Sequence, residues 1–353
     1  MSRASSRLLQ VARRLYWMWR DDRHAPDQLA RKLRVWRHGF RVRSAALYEL
    51  PQADPDHYLS DFAATHYLKH LNPDYALFRH KAIRRALLLA AGFPQVETIA
   101  VVWERRVVLQ PFTPQARPVP IGELEHWLRQ DGGPFILKPE DGGGGDKVRL
   151  LEIGGGGFTC REGSTSYPFS VDGLGGRLTL IERRAESADF WRGFYPDTLN
   201  TMRFLTLWPD GEAAPFIARA VQRIGTAESA PADNRSKGGI FARIDLETGR
   251  LGYGRRTIFG PERLKHHPQS GAQIRGVTLP DWDAIRAQLL QVAGSLPINY
   301  FAAWDVYLDR QGRLVVLEGN GTSGAEIFQG EGGLLADERV RRYFVEAGVV
   351  EQA

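Results

Sequence analysis

From residue 134 onward the chain becomes a succession of short apolar runs separated by glycine-rich turns, and this texture decides its fold class. The runs fall at 134–138, 147–153, 178–183, 202–208, 214–224, 239–245 and 250–258 and read as strands. A helix is expected at 281–294, then a closing hairpin of 300–308 and 313–318, then an amphipathic helix at 334–347. Upstream, helices are predicted at 5–22 and 26–40, with a break around Pro51 and Pro55. Another helix, over 74–91, follows Asn72 and Pro73. Its Leu77, Ile83, Leu87 and Leu88 keep a 3.6-residue period, and Gly92 with Pro94 stops it. Strands at 96–103 and 107–110 and a short helix at 121–130 complete the pattern. Strand runs mixed with a few helices predict α+β lobes rather than a doubly wound parallel sheet.

Composition limits the remaining choices. With 353 residues, 43% hydrophobic and 25% charged, the chain has the proportions of a globular protein of two or three lobes. No apolar stretch approaches the roughly 18–20 residues that cross a bilayer. The single cysteine, Cys160, excludes an internal disulfide and any thiolate metal site, and it reads as a packing residue. The N-terminus lacks the apolar block of a signal peptide, so a cytoplasmic location is expected.

The net charge of +6 is unevenly placed: residues 1–43 hold 12 Arg and Lys against Asp21, Asp22 and Asp27. A basic excess confined to one arm argues against a nucleic-acid-binding core, so no nucleic acid is expected as partner. Leu8, Leu9, Val11, Ala12, Leu15, Tyr16, Met18 and Trp19 recur at helical spacing among Arg7, Arg13, Arg14 and Arg20. This basic amphipathic helix has three readings: its aromatic stripe packs on the main body, it touches an anionic membrane at the inner face, or it binds RNA.

The hairpin Trp304–Asn320 carries the most specific chemistry. On a strand, residues two apart share a face, so Glu318 and Asn320 point the same way. Asp305 faces that side whether it stands opposite residue 316 or residue 318. Two carboxylates and an amide oxygen converge there, a hard-oxygen set that suits Mg²⁺. Leu314 to Leu317 make the approach to Glu318 apolar, and a buried carboxylate needs a cation.

A second candidate is the run Phe135-Ile136-Leu137-Lys138-Pro139 followed by Gly142, Gly143, Gly144, Gly145 and Lys147. Lys138 ends an apolar strand, and the glycines let backbone N–H groups approach phosphate oxygens. The alternative is a flexible loop without chemistry; the second tetraglycine, Gly154 to Gly157, reads as an ordinary hairpin turn and is given no chemistry. The pattern is neither a P-loop nor a dinucleotide fingerprint.

These motifs, in this order, resemble the ATP-grasp superfamily, most closely its sugar-transfer-associated branch, over roughly residues 70–330. His80-Lys81 resembles the first ATP lysine, and Phe135 to Pro139 the second lysine strand, with Gly142 to Gly145 as the phosphate-covering loop. Leu180-Ile181-Glu182-Arg183-Arg184 resembles the hinge strand for adenine and ribose, although arginines stand where apolar residues are usual. Asn200-Thr201-Met202-Arg203-Phe204-Leu205-Thr206 and Asp233-Asn234 with Lys237-Gly238-Gly239 match further motifs of the branch. Asp305, Glu318 and Asn320 fall on the Mg²⁺ ligands.

The resemblance implies an ATP-grasp fold of two α+β lobes sandwiching ATP. A basic helical segment, 1–55, precedes a lobe over 56–180 and a second lobe over 181–353. It implies an ADP-forming carboxylate–amine or carboxylate–thiol ligase working through an acyl phosphate, with ATP and Mg²⁺. Lys81, Lys138, Lys147, Glu182 and Arg183 would hold nucleotide. Arg203 would meet the transferring group, and Arg219 and Arg223, which alternate with apolar residues on the next strand, could add to that cluster. Asn234 and Lys237 would orient substrate. The expected substrates are small carboxylates and amines, sugar- or peptide-linked, in cell-surface polysaccharide assembly. A kinase of a glycan precursor on the same fold and a non-catalytic nucleotide-binding scaffold are the competing readings.

Overall fold

A computed structural model describes residues 3–50, 52–72, 80–140, 148–155, 157–162, 165–174, 176–256 and 262–351. The strand-and-glycine texture resolves into two sheets in which every pairing is antiparallel. The first contains β1 (Thr98–Trp103), β2 (Arg106–Leu109), β3 (Arg117–Pro120), β4 (Phe135–Pro139), β5 (Arg149–Gly154), β6 (Gly157–Glu162), β7 (Thr165–Pro168) and β8 (Thr179–Arg183). Its order is β3-β2-β1-β8-β4-β5-β6-β7, so β8 is inserted between β1 and β4. The second contains β9 (Met202–Leu207), β10 (Phe216–Ile224), β11 (Ile240–Ile244), β12 (Leu251–Arg255), β13 (Arg263–Leu264), β14 (Phe301–Leu308) and β15 (Leu314–Asn320). Its order is β13-β12-β11-β10-β9-β14-β15.

The helices, in chain order, are α1 (Arg3–Asp22), α2 (Leu29–Trp36), α3 (Val42–Leu47), α4 (Asp61–His66), α5 (Lys81–Ala90), α6 (Leu124–Asp131), α7 (Asp189–Arg192), α8 (Trp282–Gly294) and α9 (Glu338–Glu346). Helix α2 is shorter than the expected 26–40, and of the expected 74–91 helix residues 73–79 lie outside the described residues. Among the described residues no helix is long and apolar enough to cross a membrane.

Strand alternation explains how the second sheet is covered on both faces. Met202 and Phe204 of β9 pack with Trp304 of β14 against Ile285, Leu289 and Val292 of α8. Leu205 and Leu207 point the other way, with Phe301, into a core shared with Met18, Trp36 and Phe40 of the N-terminal segment and Phe344 of α9. The N-terminal segment is therefore part of the body rather than an appendage. Polar ties fix it: Arg255 donates to the Leu47 carbonyl at 2.8 Å, and Glu326 accepts from Arg43 at 3.1 Å. On that same sheet face, continuing along β9, β10 and β14, the apolar pattern gives way to Arg203, Arg223 and Asp305. Helix α6 buries Leu124 and Leu128 on the first sheet against Ile99 and Phe135.

Candidate active site

The hairpin β14–β15 brings its two carboxylates face to face: Asp305 stands opposite Glu318, and Ala303 opposite Asn320. Of the two registers open in the sequence, the structure takes the one with residue 318. Leu308 pairs with Leu314 across the turn, and a bulge between Asp305 and Val306 shifts the register by one. Asp309 holds the turn by accepting the backbone N–H groups of Gln311 and Arg313, both at 2.9 Å, with Gly312 at φ 73°.

Asp305 is buried, and its Oδ2 accepts from Arg223 at 2.8 Å and Arg203 at 3.4 Å, while its Oδ1 has no hydrogen-bond partner. The register makes this possible, because Arg203 is opposite Asp305 on one side and Val221 on the other, and Arg223 lies two residues beyond Val221. Arg223 also pairs with Asp233 at 2.8 Å and donates to the side-chain oxygen of Asn234. Burial pushes Asp305 above the ordinary aspartate value against the pull of both arginines. For Glu318 the effect of burial is outweighed by Arg84, Lys81 and Arg203, which hold it below its usual range.

The motif Asn200-Thr201-x-Arg203 divides its labour. Asn200, buried with φ 52°, donates to the carbonyls of Trp191 and Tyr195 and accepts from Gly225 N–H, so it ties three loop segments together. Thr201 gives Asp233 both its N–H, at 2.6 Å, and its hydroxyl, at 2.7 Å. Of the three only Arg203 reaches Asp305 directly, and its other terminal nitrogen donates to Ser323 at 3.1 Å.

The opposite wall comes from the first sheet and α5. Lys138 lies at the end of β4 and shares a face with Glu182, which is opposite Ile136 on β8. Its ammonium is 2.8 Å from Glu182, whose other oxygen is 2.5 Å from Arg85. Lys81 donates to the Glu140 carbonyl at 2.7 Å, while the Glu140 carboxylate accepts Ala82 N–H in the first turn of α5. Arg84 donates to the Gly319 carbonyl on β15 at 3.2 Å. Burial lowers the affinity of Lys81 and Lys138 for their protons, with Glu318 and Glu182 respectively acting against it. The face of α5 is a correction to the sequence reading. Of its leucine-rich set only Leu88 is buried; Ile83, Leu87 and Leu89 are exposed, and Lys81, Arg84 and Arg85 occupy the inner side.

Between these walls lies a cavity of about 350 Å³. Val96, Ile136, Ala185, Leu199 and Leu317 give it an apolar shelf. Lys81, Lys138, Glu182, Asp305 and Glu318 line it from the two sides, with Arg223, Asp233 and Asn234 at one end. Such a space combines a slot for a flat ring, ammonium groups for a polyanion and carboxylate oxygens for a hard cation. Among the described residues no group of three His, Cys, Asp or Glu side chains forms a metal cluster, so a cation here would rest on Asp305, Glu318 and an amide oxygen.

The remaining sequence candidates are placed as follows. Arg183 contributes to the cavity wall, with its guanidinium held by Glu97 at 2.6 Å and Asp131 at 3.0 Å. Lys237 is 4.0 Å from Glu162 on β6, and Asn320 is half-buried; neither lines the cavity. Arg219 also lies off the wall, donating to the Gly333 carbonyl at 2.9 Å, and burial lowers its pKa to about 10. Gly142 to Gly145 and Lys147 lie outside the described residues. Cys160 is buried in the first-sheet core. Sequence reasoning missed Arg84 and Arg85, whose signal was their spacing of three and four residues from Lys81 on one helix.

A family model for sugar-transfer-associated ATP-grasp proteins matches residues 63–341. Among curated proteins no match was found. Solved structures give remote likenesses. The ATP-grasp ligase PsnB, complexed with minimal precursor, Mg and ADP, has a TM-score of 0.39 at 12% identity, over 78% of this chain and 61% of that one. The biotin carboxylase domain of Hydrogenobacter thermophilus 2-oxoglutarate carboxylase gives 0.38 at 15%, over 71% of this chain and 41% of that one. The L-amino acid ligase from Bacillus licheniformis gives 0.38 at 11%, over 70% and 41% respectively. The chain thus spans less than two thirds of the length of each.

Proposed function

The chain belongs to the sugar-transfer-associated ATP-grasp family, and from that premise we propose an ATP-dependent ligase that activates a carboxylate and joins it to an amine or a thiol. The observation that carries this reading is the pairing of walls across one cavity: Lys81 and Lys138 on one side, Asp305 and Glu318 on the other.

The apolar shelf would take the adenine, beside the hinge that follows Glu182, and the two lysines would lie along the phosphates. Asp305, Glu318 and Asn320 would hold Mg²⁺; the partnerless Oδ1 of Asp305 fits that role. The ion, when bound, neutralises phosphate charge. Arg223 and Arg203 fix Asp305 by its other oxygen. Arg203 would meet oxygens of the transferring phosphoryl group.

In the proposed reaction a substrate carboxylate oxygen attacks the γ-phosphorus and ADP leaves. The amine then displaces phosphate from the acyl phosphate and loses its proton. No protein nucleophile takes part, so the chain contributes position and charge. Asn234 and Lys237 would orient the substrate, whereas Arg219 supports the Gly333 turn and has no role at the reacting atoms. The family's sugar-transfer association supports a setting in cell-surface polysaccharide assembly, on the cytoplasmic side, with sugar- or peptide-linked substrates.

The test uses γ-labelled ATP with pooled acids and amines. A ligase releases labelled free phosphate only when both substrates are present. Label retained on an organic product would replace the reading with a kinase. Glu318→Gln is expected to remove ATP turnover almost completely, and unchanged turnover would end the metal assignment.

A further inference from the structure

The N-terminal hairpin of α1 and α2 has an inner and an outer side of different chemistry. Inward, Met18, Val35 and Trp36 are buried, with Trp36 Nε1 donating to Asp22 at 3.0 Å. Outward, Val11, Tyr16 and Trp19 of α1 and Leu29 and Leu33 of α2 are exposed, Tyr16 to 62% and Leu29 to 65%. Five of the thirteen large apolar side chains exposed among the described residues thus fall within residues 11–33, which makes this face a concentration rather than a scatter. Both helices bury part of their apolar surface in the same core and leave these five side chains in solvent, Val11, Leu29 and Leu33 at the rim of the buried stripes.

Arginines frame them. Arg13, Arg20, Arg23, Arg31, Arg34 and Arg37 are exposed. The nearby acids are already engaged: Asp21 is 3.2 Å from Arg20 and 3.0 Å from Arg41, and Asp27 is 3.5 Å from Arg31. Arg23 lies over the Trp19 ring at 5.1 Å, and the Tyr16 and Trp19 rings are 6.2 Å apart. The charge is local as well: residues 1–43 carry 12 cations and 3 acids, whereas the rest of the chain carries 35 and 38.

We propose that this outer face docks the protein on an anionic lipid bilayer. Aromatic and aliphatic side chains would enter the headgroup boundary while the arginines meet lipid phosphates. The aliphatic members favour lipid over RNA, since Val11, Leu29 and Leu33 offer nothing to a phosphodiester backbone or to a stacked base. A second copy of the chain is disfavoured by the like charge it would bring to the same face. The hairpin buries Met18 and Trp36 in the body's core, and Asp22 accepts from Val42 N–H of α3, which the Arg43–Glu326 and Arg255–Leu47 ties fix in turn. Docking would therefore also set the orientation of the cleft to the membrane.

The test is co-sedimentation of the full chain with phosphatidylcholine vesicles and with vesicles containing phosphatidylglycerol. Binding to the second alone, weakening with salt, is expected. The exposed variant Trp19→Ser/Leu29→Ser/Leu33→Ser should lose most of the bound fraction. Arg31→Gln/Arg34→Gln should weaken binding about five-fold per arginine. Far-UV circular dichroism and ATP turnover in solution, both expected to be unchanged, separate lost docking from lost folding or catalysis. Equal binding to both vesicles, no binding to either, or full binding by the triple variant overturns the proposal. Preferential capture by polyuridylate RNA that the triple variant retains would also overturn it.

Discussion

Glu182 in the cleft is buried and Asp61 beneath the N-terminal segment is half-buried, and their protons behave in opposite ways. Burial would raise Glu182, but Lys138 and Arg85 outweigh it and the carboxylate is held below its ordinary range. At Asp61 burial prevails and the pKa rises to about 6, although the Arg41 backbone N–H at 2.8 Å, the Arg41 charge and the Ser44 hydroxyl at 2.9 Å all act against it. Nearby Glu326 adds to the rise, having drawn Arg43 and Arg235 to itself. The balance between burial and partner charge decides which carboxylate stays ionised, and it favours the charged form at Glu182 but not at Asp61 or Asp305.

Removing the partner charge at Glu182 gives the largest expected effect. Glu182→Gln leaves Lys138 and Arg85 buried without a counter-charge and should cost about 3–5 kcal/mol in urea unfolding. A loss below about 1 kcal/mol would erase the distinction between the two sites. Asp61 comes next, and its sign is reversed. A folded pKa of about 6 means that its stabilising contribution is full below the ordinary aspartate value and is lost as pH rises through 6. Wild type should therefore lose up to about 3 kcal/mol relative to Asp61→Asn between pH 4 and 7. Glu182, with its depressed value, contributes above the ordinary glutamate value and loses that contribution as the pH falls through its folded one. Unfolding curves should show the Asp61 loss on raising the pH from 4 to 7 and the Glu182 loss, of opposite slope, on lowering it below the ordinary glutamate value of 4.5. The smallest effect belongs to Arg183, whose ion pairs with Glu97 and Asp131 are open to solvent. Arg183→Ala should change stability by about 0–1 kcal/mol, less in salt, since water screens what burial does not enforce.

The same contrast explains how far the sequence could be read. Strands such as Phe135–Pro139 and Phe301–Leu308 were legible because apolar runs bounded by turn residues have few other uses. Strand β3, Arg117-Pro118-Val119-Pro120, escaped notice because proline argues against a strand except at a sheet edge, where β3 lies. Strands β6 and β7 are short and polar on alternate positions, so they escaped notice as strands. The insertion of β8 between β1 and β4 is a distant pairing that no local pattern encodes. The Asp305–Glu318 pairing was legible through the two-residue period of a hairpin. The inner face of α5 was not, because periodicity finds an amphipathic helix without saying which side is wanted inside. Carboxylates at Glu182 and Glu318 draw the cationic side inward.

Asp305 lies 102 residues after Arg203 and 82 after Arg223. A nascent chain leaving the ribosome therefore carries both guanidinium groups for roughly 4–16 s before their shared carboxylate emerges. Arg223 has Asp233 as a partner ten residues on, but Arg203 cannot be desolvated cheaply in that interval. The floor of the cleft is thus the part of the second sheet that must stay wet longest, and translation of the last hairpin is what allows it to dry.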